Sequence, residues 1–177
     1  DYSTQASYNI LFMPTAVINM FNMFISVPFY TKLAQFWQSD DKSAFLQILY
    51  KRVRFVAALT VVFLLGGTVV GIPVLSWLYN VDLSSCRLAF AILLLGGGFY
   101  GVSSILTYVI TVFRKQRIIL YIYLICAAVS QLTAGSLVKG FGITGAAVSY
   151  TASMAVISLG LAFYIFCYLK KTTVRLT

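Results

Sequence analysis

Ionisable groups are scarce in this sequence, and that bounds the chemistry first. It holds no His and no Glu, and its carboxylates are Asp1, Asp40, Asp41 and Asp82. General acid–base work needs two such groups with separated pKa values in one pocket. These four do not provide that pair. Cys86, Cys126 and Cys167 are isolated, odd in number and partly inside apolar runs. They predict neither a disulfide framework nor a metal site, and no cofactor is expected. What remains is uncharged polarity at helical spacing. Thr15, Asn19, Asn22 and Ser26 recur at steps of three or four, which puts them on one helix face. Tyr100, Ser104, Thr107 and Thr111 form a second such line, and Gln131 sits with Ser130, Thr133 and Ser136 in a third run. Polar rows of this kind either hydrogen-bond between helices or wall a water-filled cavity.

The elements that carry these rows are membrane helices. Of the 177 residues, 60% are hydrophobic and 10% charged, and the mean hydropathy is +0.92. A soluble domain is about a quarter charged. The composition therefore predicts an all-α, polytopic membrane bundle of about five spans, at 8–30, 53–79, 86–113, 118–138 and 143–169. Pro14 is a candidate kink in the first. Residues 31–52 read as a cytoplasmic amphipathic linker. Within it, Ser39, Asp40 and Asp41 signal a helix start, and Phe45, Ile48, Leu49 and Arg52 share one face.

The net charge of +9 does not indicate nucleic acid. The basic residues lie in short blocks between apolar runs. Of the 13 Lys and Arg, all but Arg87 and Lys139 fall in segments that would share one side. The positive-inside rule then predicts an outside N-terminus and a cytoplasmic C-terminus. Arg52 is read here as one more solvated loop charge. Trp77 and Tyr79 read as an interfacial aromatic belt.

Glycines mark two special places. Gly96-Gly-Gly-Phe-Tyr-Gly101 lies mid-span and lacks the GK[ST] ending of a phosphate loop. It implies a kink, an unwound turn or close packing. Lys139-Gly-Phe-Gly-Ile-Thr-Gly-Ala-Ala-Val-Ser-Tyr150 begins as a tight turn at Gly140 and Gly142 and runs into an apolar helix. Gly145, Ser149 and Ser153 then recur every four residues, the pattern by which helices approach closely in lipid.

That stretch resembles the C-terminal part of the polysaccharide flippases, exporters of O-antigen and capsule units. They belong to the superfamily that also holds multidrug exporters and the lipid II flippase. Ile72-Pro-Val-Leu-Ser-Trp-Leu-Tyr-Asn80 is similar to another of their segments, with Asn80 where a Gly is usual. The resemblance extends from Tyr2-Ser-Thr-Gln-Ala6 to the last span. It implies most of the C-terminal lobe of a 12- or 14-helix protein in the bacterial inner membrane. It also implies flipping of undecaprenyl-pyrophosphate-linked oligosaccharide by alternating access, without covalent chemistry. Expected partners are that lipid-linked sugar, membrane lipid and an N-terminal lobe of the same protein. The substrate path would use Thr15, Asn19, Asn22, Ser26, Tyr100, Ser104, Thr107 and Gln131. Helix packing would use Gly142, Gly145, Ser149 and Ser153. Another exporter of the same superfamily, for drugs or for lipid II, or less readily a membrane-embedded glycosyl- or acyltransferase, remains as an alternative. Because the chain opens on Asp1, it is expected to be a segment of a longer protein, with its polar faces lacking anything opposite them.

Overall fold

The computed structural model describes residues 2–174, and each of these lies in a helix or in one of three short connectors. Helix α1 spans Tyr2–Gln38 and α2 spans Lys42–Gly66. A π turn at Gly67–Gly71 carries α2 without a break into α3, Ile72–Tyr79. After a 3-10 turn at Ser84–Cys86 come α4, Arg87–Val112, and α5, Gln116–Val174. The fold is all-α.

Four helical stretches are long and apolar enough to cross a bilayer: Gln5–Ser26, Lys42–Tyr79, Ser84–Val112 and Gln116–Lys171. The last is not one straight rod. Gly142 adopts φ 55° and ψ −129° and folds α5 into two arms. Contacts step outward from that turn. A Cβ built on Gly145 would strike the Leu137 carbonyl oxygen. Ser153 Oγ donates to Ser130 Oγ at 3.1 Å, Cys126 Sγ donates to the Ser153 carbonyl, and Gly160 faces Ile122. Four helices thus make five crossings.

The outside of the bundle is apolar. Phe24, Trp77, Leu132, Phe163 and Phe166 are all mostly exposed. Soluble monomers rarely expose so much contiguous apolar surface, whereas lipid solvates it. Length, composition and this exposed surface together identify a multi-pass membrane protein.

α4 is the centre. Over half of its span is buried, against 17–28% for the others. Its glycine triplet is ordinary helix, neither kinked nor unwound. Successive residues point about 100° apart, so each glycine meets a different neighbour. A Cβ on Gly96 would strike Tyr150 and Thr151 of α5, on Gly97 Thr15 of α1, and on Gly98 Thr60 of α2. The triplet lets three helices approach one axis together.

Several expectations shift here. α1 runs unbroken through Pro14 and Pro28 to Gln38. Residues 31–52 are therefore no separate linker: they are the end of α1, a turn at Ser39–Asp41, and the first turns of α2. Asp41 is the cap of α2, accepting from the Ala44 N–H at 3.0 Å. Gly140 stays helical, and Gly142 alone makes the α5 reversal. Asn80 takes the left-handed φ of 52° that its place at the end of α3 requires.

One end of the bundle is closed by rings. Trp37 of α1 packs at 4.4 Å on Phe113, just past α4, and Phe113 stacks on Tyr168 of α5 at 4.8 Å. Phe45 of α2 joins the same group. Lys32, Lys42, Arg114, Lys115, Lys170 and Lys171 flank this ring cluster in sequence, so it marks the basic end.

Candidate functional site

The buried stripe of α1 runs Leu11, Thr15, Ile18, Asn22, Ser26, Phe29, Leu33, at steps of three and four. The polar row is thus part of the stripe that packs inward. Thr15 and Ser26 are 0% exposed and Asn22 4%. These three do have something opposite them within this chain, contrary to expectation. Thr15 Oγ1 donates to the Leu93 carbonyl of α4, and Asn22 Nδ2 to the Gly101 carbonyl, both at 3.4 Å. Gly101 leaves room for that amide: a Cβ there would sit 3.2 Å from Asn22 Nδ2.

The third partner is Arg52, which sequence reading placed on a solvated surface. It is 7% exposed, at the seam between α1 and α2. Its Nη2 donates to Ser26 Oγ at 2.7 Å, to Asn22 Oδ1 at 2.9 Å and to the Asn22 carbonyl at 3.1 Å. Ser26 Oγ in turn donates to the Asn22 carbonyl. Phe29 and Phe55 flank the guanidinium, with ring centroids 5.8 and 5.0 Å from its carbon. Nε is buried without a protein partner.

No described carboxylate neutralises this cation. Asp40 reaches Lys42 at 3.8 Å, Asp41 caps α2, and Asp82 accepts from the Ser84 N–H in the α3–α4 connector. Arg52 lies roughly 15 Å along the axis from the start of α2. A buried guanidinium with no carboxylate partner is costly, and that makes the seam the candidate site. A signal for it was present in the sequence. Phe45, Leu49, Arg52, Val56 and Thr60 form the buried stripe of α2, with an arginine in the middle of an inward-facing row.

The remaining predicted path residues do not converge on this seam. Asn19 is half-buried, its Nδ2 donating to the Thr15 carbonyl at 2.9 Å while Oδ1 is buried without a partner. Thr107 Oγ1 is likewise buried and unpartnered, Ser104 is half-buried, and Tyr100 is 42% exposed. Gln131 is exposed on the first arm of α5, and its neighbour Ser130 makes the contact to Ser153 instead. Of the four expected packing residues, Gly145 and Ser149 are buried and Ser153 bridges the two arms, whereas Gly142 is exposed, has nothing near its Cβ position and makes the turn instead.

No protein family, no curated protein and no solved structure matches the chain. The class defined by fold and surface is a multi-pass helical membrane protein.

Proposed function

We propose that this chain moves a lipid-linked oligosaccharide across the bacterial inner membrane by alternating access, as part of a two-lobed flippase. The cargo is a polyprenyl-pyrophosphate-linked sugar unit, and undecaprenol is the lipid that the sequence resemblance implies. The second lobe lies outside these residues. The observation that carries the reading is Arg52, a buried guanidinium held by neutral oxygens alone. Desolvating a cation costs several kcal/mol, and neutral acceptors return only part of that. An anionic group reaching the α1–α2 seam returns the rest, and a pyrophosphate is such a group. Arginine suits it, because its planar fork matches phosphate oxygens.

One further feature favours this cargo. Asn19 Oδ1 and Thr107 Oγ1 are buried without partners, polar atoms of the kind that hydroxyl-rich sugars satisfy. The basic residues gather toward one end of the crossings, which supports the N-out, C-in orientation. Transport of this sort makes and breaks no covalent bond.

The test is reconstitution of the protein, with its second lobe, into liposomes carrying a fluorescent polyprenyl-pyrophosphate-linked saccharide. Head groups that reach the far leaflet are quenched by an impermeant reductant. Movement above the protein-free rate, and no movement of a phosphate-free analogue, is expected. Equal rates for both lipids contradict the role of the anion.

A further inference from the structure

At the basic end, the last turns of α1 and α4 part around a pocket of about 490 Å³. Its wall includes Ala34, Trp37 and Gln38 from α1, and Tyr108, Thr111 and Arg114 from α4 and the turn after it. The Arg52 seam contributes none of its residues, so the pocket is a separate feature. We propose that it seats the phosphate-bearing headgroup of a membrane phospholipid.

Three observations converge. The first is chemistry. The Arg114 guanidinium, the Gln38 amide and the Tyr108 hydroxyl are donors that suit phosphate oxygens, while the Thr111 hydroxyl already donates to the Thr107 carbonyl at 3.0 Å. Asp and Glu are absent from the wall, so an anion meets no repulsion from it. The second is rigidity. Trp37 is wedged against Phe45, Phe113 and Tyr168, and Tyr108 stacks on Tyr30 at 3.9 Å. These rings are fixed before a ligand arrives, which lowers the ordering cost of binding. The third is place. The pocket lies beside the basic turn Arg114-Lys115, where the apolar spans end. Trp and Tyr favour the headgroup level, and basic pockets between helices there take anionic headgroups. A volume of 490 Å³ falls within the roughly 300–1,000 Å³ of small-molecule sites.

A lipid suits the pocket better than free phosphate, because the Trp37 and Tyr108 rings give the glycerol and first acyl carbons an apolar wall. Neighbouring phospholipids are also always present at that level. The site is independent of what the protein transports.

The test is native mass spectrometry of the delipidated full chain, offered phosphatidylglycerol, diacylglycerol or inorganic phosphate. Wild type is expected to retain phosphatidylglycerol and not diacylglycerol, and millimolar inorganic phosphate should leave the lipid in place. Arg114→Gln is expected to lower retention about fivefold, the effect of one basic residue at a membrane surface. Arg114→Gly, which suits the φ of 57° at this position, should do the same without strain. Arg117→Gln, one turn away and outside the pocket, should change nothing. Equal retention by wild type and both Arg114 variants overturns the proposal. So does equal retention of diacylglycerol, or displacement of the lipid by phosphate.

Discussion

At the scale of single residues, Arg52 decides most. Its one nitrogen joins Asn22 and Ser26, so each partner's loss leaves the others desolvated and unpaired. Arg52→Ala is expected to destabilise the protein by about 1–3 kcal/mol, read as a lower thermal midpoint in detergent. Asn22→Ala should cost a similar amount, and the double variant should cost less than the two together, because they share one network. Additive losses would show that the network does not act as a unit. The polar row on α1 was legible in the sequence, but its inward direction was not: that Thr15, Asn22 and Ser26 are buried in step with Leu11, Ile18 and Phe29 follows from the helices packed against them. Arg52 was missed because positive charge in a membrane protein is read first as topology. Its step with Phe45, Leu49 and Val56 was the better guide. Which side of a span a polar row faces depends on its partner helix, and no single helix encodes its partner.

At the scale of elements, glycine sets the geometry in two ways. In α4 it acts by absence of bulk. Gly98→Ala brings a methyl to 2.5 Å from Thr60 and is expected to cost about 1–3 kcal/mol through overpacking, measured by the same thermal midpoint. The sequence left kink, unwound turn and close packing open for this triplet, because all three use the same residues. Three neighbours at 100° steps around one straight axis decide it. In α5 glycine acts through conformation. Gly142→Ala should cost on the order of 1–3 kcal/mol, since φ 55° with ψ −129° strains any side chain. Gly140→Ala should be neutral or slightly stabilising, because Gly140 is helical and nothing lies near its Cβ position. Equal effects at 140 and 142 would contradict the hairpin. Gly145→Ala places a methyl against the Leu137 carbonyl and should be harmful even at that size. The small-residue spacing predicted a packed face here. The partner, the preceding arm, follows from the tight turn.

At the scale of the whole molecule, five crossings alternate in direction and leave the basic turns at one end and the Asn80–Ser85 connector at the other. A Cys placed at Asp82 should react with an impermeant reagent in intact cells, and a Cys at Arg114 should not; the reverse pattern would invert the orientation. Asp82 also sets a pH dependence. Hydrogen bonds from the Ser84 hydroxyl and backbone N–H hold its carboxyl below the usual carboxylate range. Folding therefore favours the ionised form, and the contribution is present above the ordinary carboxylate pKa and lost as pH falls through the lowered value. The protection of the Ser84 amide, taken relative to its intrinsic exchange rate at each pH, should fall there, and not in Asp82→Asn, which has no such titration. The number of crossings and the helical class were legible from hydropathy. The bundle's arrangement around α4 was not, because it rests on contacts between segments far apart in the chain. On the proposed function, Arg52 serves an anionic cargo beyond holding α1 to α2. The most direct measurement is the flipping rate of a pyrophosphate-linked saccharide by Arg52→Lys and Arg52→Gln, each compared with wild type at matched thermal midpoint. Arg52→Lys should retain a substantial part of the rate and Arg52→Gln should lose it, because charge and not hydrogen bonding alone is required. Wild-type flipping by a folded Arg52→Gln would contradict it.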